Sequence, residues 1–329
     1  MPRRYPVPSA PSVGVPGESA PDFPGDLRSE VIQSRDNKWL KAFRAALRGG
    51  GPDPDEPIGV EGPKLVEEAF CAGLDAAALL VSAAGESELL RILYAAGQTE
   101  KGIPRSRILR TTDKLFASVA GTETPQGVAA LFRRHEWRFE DLLHGAPSRD
   151  GGLRGDAPLI IVLAGVQDPG NVGTIMRSAE AFGATGAIAA RGTADPWSPK
   201  AVRASAGSAL RLPLLRGMAV PTTLVQLRVA GLKIYAATSK SKADEQAEHK
   251  HREQPTHAEK TRLTAELSGP SAIFIGSEGH GLPPEVEHAA DALISVPISE
   301  SVESLNAAVA ASIVLYEAAK HRRTHSNGR

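Results

Sequence analysis

The sequence predicts a protein of two α/β domains, the second built on a mainly parallel sheet with helices on both faces. Three observations lead to this prediction. Short apolar runs alternate with helical patterns along most of the chain, as they do in α/β folds. The run at 159–164 contains no polar residue, which is typical of a strand covered on both faces. At 329 residues the chain is long enough for two hydrophobic cores.

Composition bears on the partners and the cellular compartment that can be expected of this protein. Lysine and arginine total 38, and so do aspartate and glutamate. The net charge therefore does not indicate a nucleic-acid partner, and only local patches can. The single cysteine, Cys71, excludes a disulfide framework and favours the reducing cytoplasm; we expect it to be a small core side chain. The sequence has no apolar run of about 18 residues, which a membrane-spanning helix needs, and no signal peptide is indicated.

The chain divides into five predicted segments. Residues 1–27 contain seven prolines and few large apolar side chains, so we expect a disordered tail. The first domain is predicted over 28–135 and the second over 157–322. The polar stretch 136–156 is typical of a linker, and 323–329 is expected to be a short tail.

The first domain alternates strand and helix. Its first helix is predicted to begin at Ser34, to carry Trp39, Phe43 and Leu47 on one side, and to end at the glycines 49–51. The elements that follow are predicted as strand 58–60, helix 63–72, strand 77–82, helix 87–96, strand 107–110 and strand 127–132.

Two basic clusters occur in this domain. Six basic and two acidic residues lie between 28 and 48, and five basic residues and one acidic residue lie between 101 and 114. Clustered positive charge binds nucleic-acid phosphates, although a solvated surface that keeps the protein soluble is the alternative. The residues that we expect to contact phosphates are Arg35, Lys38, Lys41, Arg44, Arg105 and Arg107.

The second domain repeats the alternation. Its strands are predicted at 159–164, 186–190, 212–215, 233–238, 272–275 and 293–296, and its helices at 172–182, 199–209, 220–230 and 304–320. Residues 239–262 have no period and are predicted to be a mobile surface insertion. Its histidines, His249, His251 and His257, lack partner cysteines and zinc-ligand spacing, so we expect no metal site.

Three strand ends in this domain lead into loops suited to a small ligand. The first strand is followed by a turn in which Asn171 is placed to cap the next helix. Residues 276–281 form a glycine-rich loop with one carboxylate, Glu278, where glycines permit positive φ and close approach of a ligand. The strand ending at Val296 precedes a polar turn and a long Ala-rich helix. Open α/β sheets bind ligands where such loops meet.

The helix after Asn171 has one residue that stands apart. Val172, Ile175 and Met176 belong to a predicted buried stripe, and Arg177 lies off it.

The sequence contains no G-x-G-x-x-G after a strand and no G-x-x-x-x-G-K-[ST]. An ordinary dinucleotide- or nucleotide-binding sheet is therefore not indicated.

Three segments together resemble a known family. They are Asn171-Val172-Gly173 with Arg177, Gly276-Ser277-Glu278-Gly279, and Val296-Pro297-Ile298 with Ser304-Leu305-Asn306. In this order they resemble the three motifs of the SpoU (TrmH-like) RNA 2′-O-ribose methyltransferases of the SPOUT superfamily. The resemblance covers 159 to about 320. A weaker resemblance to the family's substrate-binding domain extends upstream, through Val60-Glu61-Gly62 and 124–128.

The resemblance implies a fold, a reaction and partners. It implies a fold like ribosomal protein L30e for the first domain and a trefoil knot at the end of the second. It also implies methyl transfer from S-adenosylmethionine to a ribose 2′-hydroxyl of RNA by a homodimer. Ribosomal RNA is favoured because the smaller members of the family that act on tRNA usually lack the first domain. The resemblance also implies that the two basic clusters contact RNA. The positions that match the cofactor contacts are Gly276, Val296, Ile298 and Leu305.

The same resemblance implies roles for five polar residues. Arg177 matches the catalytic arginine. Because a guanidinium rarely gives up a proton, we expect Arg177 to hold a phosphate and stabilise the developing alkoxide, and the proton acceptor stays open. Asn171 is expected to orient the arginine or the ribose, and Glu278 to fix Asn171, Arg177 or the loop. Ser304 and Asn306 are expected to hold the last helix against the cofactor loop. The simple alternatives are helix caps and a solvated loop carboxylate.

Three other functions stay open from the sequence. They are a tRNA 2′-O-methyltransferase, a base methyltransferase of the wider knotted superfamily, and an RNA-binding protein that has lost methyl transfer. All five polar positions are present, which argues against the last of these. The expected dimer surface is one face of the last helix, formed by Leu305, Ala308, Val309, Ser312, Ile313 and Tyr316.

Overall fold

The computed structural model describes residues 29–49, 57–97, 107–145, 157–238, 261–262, 267–299 and 301–326. Two sheets organise these residues, one in each half of the chain. The predicted tail 1–27 lies outside the described residues, and so does the insertion 239–262 apart from its last two positions.

The first sheet has strands in both directions. It contains β1 (Ser29–Val31), β2 (Ile58–Glu61), β3 (Ala76–Ser82), β4 (Arg107–Thr111) and β5 (Val128–Phe132). The order is β1-β4-β3-β5-β2; β4 is parallel to β1 and β3, and β5 is antiparallel to β3 and β2. The accompanying helices are α1 (Lys38–Arg48), α2 (Pro63–Cys71), α3 (Glu86–Gly97) and α4 (Asp113–Ala117), with a 3₁₀ turn at Ala83–Gly85.

The start of this domain differs from the prediction. α1 begins at Lys38 rather than at Ser34, because the Asn37 side chain accepts a hydrogen bond from the Trp39 N–H at 2.8 Å and caps the helix there. Strand β1 and helix α4 were not predicted, since elements of three and five residues are too short to show a period.

The second sheet is parallel at every described pairing. It contains β6 (Leu159–Ala164), β7 (Gly186–Ala190), β8 (Leu214–Met218), β9 (Lys233–Ala237), β10 (Thr261–Arg262), β11 (Ser271–Gly276) and β12 (Ala292–Ser295). The order is β10-β12-β9-β11-β6-β7-β8. The predicted parallel α/β sheet is confirmed. This strand order is consistent with a trefoil knot, which itself stays a prediction.

Helices cover both faces of this sheet. They are α5 (Phe139–His144), α6 (Pro169–Ala181), α7 (Pro199–Ala204), α8 (Ser208–Arg211), α9 (Val220–Val229), α10 (Pro284–Ala289) and α11 (Ala307–Ser326). On β6, Ile161 belongs to the buried cluster that includes α6, α7 and α11, whereas its neighbour Val162 belongs to the cluster that includes α9 and α10. Successive side chains thus point to opposite faces, and this explains why the strand has no polar residue.

Two helix boundaries in this domain correct the prediction. α6 begins at Pro169, and its cap is Asp168, whose carboxylate accepts a hydrogen bond from the Asn171 N–H at 3.1 Å. The prediction that Asn171 caps the helix is therefore wrong. The helix predicted at 199–209 is two helices, because Ala206 has a φ of 49° and ends the first of them.

The predicted linker contributes to the second domain. Helix α5 lies within 136–156, and its Leu142 is fully buried. A Cβ placed on Gly186 of β7 would come within 2.5 Å of the Leu142 side chain. Glycine at this position therefore lets α5 pack directly on the sheet.

Helix α11 is fastened at its end to the segments that precede β6 and β11. Arg322 donates hydrogen bonds to the backbone carbonyls of Ala157 (2.5 Å), Pro158 (3.1 Å), Leu267 (3.0 Å) and Gly269 (2.6 Å). Burial lowers the pKa of Arg322 to about 10, so the guanidinium remains charged at neutral pH. The helix continues to Ser326, beyond the predicted start of a tail at 323.

Candidate active site

A cleft of about 490 Å³ opens at the carboxyl ends of β9, β11 and β12. The four residues predicted to contact a cofactor, Gly276, Val296, Ile298 and Leu305, all line it. Gly276 is the last residue of β11, and the other three lie between β12 and α11. The structure therefore brings together two motifs that are separate in the sequence, as the carboxyl-edge rule for parallel sheets predicts.

The five polar residues are arranged around this cleft. Glu278, Ser304 and Asn306 line the cleft, whereas Asn171 and Arg177 lie on α6 and are not among its lining residues. Asn171 is nevertheless joined to the cleft by hydrogen bonds.

A chain of hydrogen bonds connects the three motifs. The Asn306 Nδ2 donates to Asn171 Oδ1 at 3.0 Å, and Asn171 Nδ2 donates to the Glu278 carboxylate. Asn306 Oδ1 accepts from the N–H groups of Ala308 (2.9 Å) and Val309 (3.3 Å) at the start of α11. Asn306 therefore caps α11 and holds Asn171 with the other half of its amide.

The donor and acceptor chemistry sets the direction of this chain. A carboxylate only accepts hydrogen bonds, so Glu278 takes the amide NH₂ of Asn171. The Asn171 carbonyl oxygen is then turned toward Asn306, which has only its NH₂ left because its own oxygen faces the helix N–H groups. Aspartate at either asparagine position would remove a donor that the arrangement needs.

Arg177 is an exposed side chain on the same helix as Asn171. The predicted stripe is confirmed, since Val172, Ile175 and Met176 are fully buried. Arg177 makes no hydrogen bond or ion pair with any residue in the described parts of the chain. It is therefore a free cation that a ligand can reach.

The glycine-rich loop closes on itself. Ser277 and Gly281 exchange two backbone hydrogen bonds, at 3.1 and 3.0 Å. A Cβ on Gly276 would lie 2.3 Å from the Gly281 carbonyl carbon, whereas a Cβ on Gly279 would meet no atom within 4 Å. The positive φ expected in this loop is at Gly281 (67°). Gly276 is thus required by the loop's own backbone rather than by an approaching ligand.

Gly173, in the first motif, has a structural role of the same kind. A Cβ at this position would lie 2.3 Å from the Ala201 carbonyl oxygen and 2.7 Å from the Ala204 Cβ. Helix α6 therefore packs closely on α7 at this point. Near the amino end of α6, a hydrogen bond from Lys200 of α7 lowers the pKa of Asp168, and this ion pair also links the two helices.

Some predictions about single residues need correction. The Ser304 side chain makes no hydrogen bond within the described residues, and α11 begins only at Ala307; the role expected of Ser304 in holding this helix falls to Asn306. The sequence analysis also missed several residues that line the cleft, namely Ala237, Thr238, His280, Leu282, Glu287 and Glu303. The end of the predicted strand at 233–238 was the available signal for Ala237 and Thr238.

The two basic clusters meet on one surface. Around the ring of Trp39, Lys38 Nζ lies 6.0 Å and Arg107 Cζ 5.8 Å from the ring centroid. Arg107 also pairs with Glu30 at 3.4 Å. We name Lys38, Trp39 and Arg107 the Trp39 surface.

The other predicted basic residues have different surroundings. Arg35 and Lys41 are exposed, and Lys41 lies 3.8 Å from an Asp36 carboxylate oxygen. The Arg44 Nε donates to the Ser118 carbonyl at 3.4 Å, a contact within the protein. Arg105 lies outside the described residues.

The described residues contain neither a metal-binding cluster nor a membrane-spanning helix. In the described ranges, no group of three or more His, Cys, Asp or Glu side chains is placed to hold a metal ion. The predicted insertion histidines lie outside these ranges. Of the helices that the structure describes, none is long and apolar enough to cross a membrane.

Comparison with known proteins gives matches to both halves of the chain. The SpoU rRNA methylase family model matches residues 158–316, and the MRM3-like substrate-binding domain matches residues 56–130. An uncharacterised tRNA/rRNA methyltransferase of Mycolicibacterium vanbaalenii is 31% identical over 86% of this chain and 82% of its own length. Another from Mycobacterium ulcerans is 30% identical over 95% and 94%, respectively.

Solved structures are similar over nearly the whole chain. The AdoMet-bound rRNA methyltransferase of Sinorhizobium meliloti has a TM-score of 0.68 at 26% identity, covering 89% of this chain and 98% of its own. An RNA 2′-O ribose methyltransferase has a TM-score of 0.65 at 27% identity, covering 90% and 99%. The family predicted from the three motifs is confirmed by these matches, and the chain belongs to the SpoU rRNA methylase family.

Proposed function

We propose that this protein is an S-adenosylmethionine-dependent methyltransferase that methylates a ribose 2′-hydroxyl of ribosomal RNA. The observation that carries the proposal is the hydrogen-bonded chain from Asn306 through Asn171 to Glu278. It joins all three motifs beside a cleft that the proposed cofactor residues line. The similarity to an AdoMet-bound rRNA methyltransferase and to a 2′-O ribose methyltransferase supports it.

The cleft suits S-adenosylmethionine in size and chemistry. Its volume of about 490 Å³ lies within the range of small-molecule sites. Its apolar side chains and the polar groups of the loop at 276–281 match a flat heterocycle with polar edges. Gly276, Val296, Ile298 and Leu305 would hold the cofactor. When bound, S-adenosylmethionine supplies an activated methyl group.

We assign Arg177 to the RNA phosphate next to the reacting ribose. Its planar group of N–H donors matches phosphate oxygens, and within the described residues it has no competing partner. Its positive charge would stabilise the developing 2′-alkoxide. Holding the phosphate and stabilising the alkoxide are its roles in this proposal.

Asn171 and its partners orient the helix that carries Arg177. Asn171 is held at both ends of its amide, by Asn306 and by Glu278. α6 is therefore fixed relative to both cofactor-side segments. Such fixing matters because a methyl transfer requires the donor and acceptor to be in line.

The choice of ribosomal RNA has two supports. The rRNA methyltransferase of Sinorhizobium meliloti is similar over 89% of this chain, including the first domain. The Trp39 surface combines two cations with an aromatic ring, which is a usual arrangement for contact with nucleic-acid backbone and bases. We place the protein in the cytoplasm, where such RNA is found.

We also propose a homodimer through α11. Of the face predicted from the sequence, Val309 (48%) and Tyr316 (53%) are exposed. Ala308 is buried, and Ser312 hydrogen-bonds Ser178 of α6 at 2.7 Å, so these two belong to the protomer's own packing. Light scattering that gives twice the chain mass for the wild type, and one chain mass for Val309→Asp, would support this assembly; a wild-type monomer at micromolar concentration would rule it out.

The test of the function uses the full chain with labelled S-adenosylmethionine. In vitro transcribed ribosomal RNA and tRNA are the two substrates, and nucleosides from the product are separated by chromatography. We expect label in a 2′-O-methylnucleoside of ribosomal RNA. Arg177→Ala is expected to abolish this label. The affinity of this variant for S-adenosylmethionine should stay within about twofold of wild type, since Arg177 is not among the residues that line the cleft. Label in tRNA would contradict the proposed substrate, and label on a base would contradict the proposed acceptor, the ribose 2′-hydroxyl. Failure of the folded protein to bind S-adenosylmethionine would refute the proposal.

A further inference from the structure

Arg177 has an acidic neighbour on its own helix. Glu180 follows it by three residues on α6, and side chains at this spacing lie side by side and form ion pairs. A pair between them would occupy the guanidinium that the proposed function assigns to RNA. The structure contains no such pair.

Arg211 of α8 binds the Glu180 carboxylate instead. Its Nε donates to Glu180 Oε1 at 2.9 Å and its Nη2 donates to Glu180 Oε2 at 2.8 Å, which is a bidentate pair. The third nitrogen, Nη1, donates to Glu68 of α2 at 2.8 Å. Arg211 therefore joins the helix of Arg177 to the first domain.

The competition between the two arginines favours Arg211. The side chains of Arg211 and Glu180 are only 21% and 15% exposed. Arg177 is an exposed side chain, and ion pairs between exposed side chains are weak in water. Burial by itself would lower the pKa of Arg211, but its hydrogen bonds and charge interaction with Glu180 outweigh burial and raise it. Glu180 is thus held by the stronger partner.

We propose that Arg211 is a positioning residue that withholds Glu180 from Arg177 and so keeps Arg177 available for an RNA phosphate. The inference rests on the proposed role of Arg177. Because Arg211 also binds Glu68, it links the availability of Arg177 to the packing of the first domain. Arg211 is not among the residues that line the cleft.

The decisive test is a rescue experiment. Arg211→Gln removes the bidentate partner of Glu180. We expect this change to lower kcat/KM for ribosomal RNA about two- to fivefold, the range of an exposed i, i+3 ion pair. Glu180→Gln alone should stay within about 1.5-fold of wild type, since glutamine leaves no charge to compete. The double variant R211Q/E180Q should recover to the same level. A structural role of Arg211 predicts the opposite, because the double variant loses the bridge as completely as R211Q does.

A second readout needs no RNA. In ¹⁵N-arginine-labelled full-length protein, the Nε–Hε signal of Arg177 is identified by its loss in Arg177→Lys. We expect R211Q to shift this signal and R211Q/E180Q to return it to the wild-type position. If the wild type does not methylate RNA, the proposed function fails while this measurement still decides whether Glu180 is withheld.

The matched control is Glu68→Gln, which removes the charge of the interdomain ion pair but leaves the Glu180 pair in place. Its Arg177 signal should stay unchanged. Should R211Q fail to fold, E68Q/R211Q carries the same comparison with one carboxylate fewer beside the substituted position. An unshifted Arg177 signal in the folded variant, or activity that E180Q does not restore, would overturn the inference.

Discussion

At the scale of single residues, the amide of Asn306 combines a structural and a functional contact. Its oxygen caps α11 and its nitrogen holds Asn171. These contacts can be separated, because aspartate caps a helix as well as asparagine does but has no N–H to offer.

Asn306→Asp is therefore expected to keep the protein folded and to impair methyl transfer. The free energy of unfolding should change by less than about 0.5 kcal/mol. Activity should fall at least about tenfold, since Asn171 would face a second carboxylate in place of a donor. Thermal unfolding and the methylation assay measure the two effects. Normal activity in the variant would mean that Asn306 serves only as a helix cap.

Asp168 adds a pH dependence at the same scale. Its pKa is lowered chiefly by the hydrogen bond from Lys200, against a smaller opposing effect of burial. A lowered pKa in the folded state means that its contribution to stability is present above the unfolded pKa and is lost as the pH falls through the folded pKa.

We expect Asp168→Asn to be less stable than wild type at pH 7 and equally stable near pH 2. Asparagine retains the helix cap but loses the charge that binds Lys200. Melting temperatures of both proteins across this range test the expectation. A difference that does not shrink in acid would attribute the loss to capping and not to the ion pair.

At the scale of elements, the loop after β11 depends on one glycine for its shape. Gly276→Ala would force a Cβ to within 2.3 Å of Gly281, whose backbone cannot move without breaking its bonds to Ser277. We expect a loss of about 1–3 kcal/mol in stability and a clear loss of S-adenosylmethionine affinity, because the loop lines the cleft.

Gly279→Ala is the matched control in the same loop. A Cβ there meets no atom within 4 Å, so stability and affinity should remain close to wild type. Thermal unfolding and isothermal titration measure both variants. Equal behaviour of the two alanines would show that the close contact at Gly276 does not determine the loop.

At the scale of the whole molecule, the Trp39 surface lies in one domain and the cleft in the other. We expect Lys38→Gln combined with Arg107→Gln to weaken RNA binding and to flatten its salt dependence. Each lost phosphate contact should reduce the slope of log K against log salt by about 0.7 for single-stranded RNA. Cofactor affinity should not change.

Lys64→Gln supplies the control for general charge. Lys64 is an exposed cation on α2 of the same domain, and its removal should leave the slope unaltered. Filter binding over a range of salt concentrations measures all the variants. If Lys64→Gln lowers the slope of log K against log salt per residue as much as Lys38→Gln with Arg107→Gln does, RNA binding depends on overall charge. The Trp39 surface would then have no special role.

The sequence by itself determined the α/β class, most strands and helices, and the residue types that carry the chemistry. Each of these depends on features that are close together in the chain. The apolar run of β6 and the stripe of α6 could be read directly, because period and composition are local. Short elements such as β1 were missed for the same reason, since three residues show no period.

Only the tertiary structure decided which polar groups meet. Asn171 lies 107 residues from Glu278 and 135 residues from Asn306. Glu278 is its neighbour because β11 lies next to β6, and Asn306 is its neighbour because α11 packs on α6. Local sequence instead predicted Asn171 as a helix cap, a position that Asp168 occupies. Which side chain pairs with Glu180 was likewise beyond the sequence, because Arg211 reaches Glu180 from another helix. Strand order and helix packing place distant side chains together, and neither leaves a local pattern.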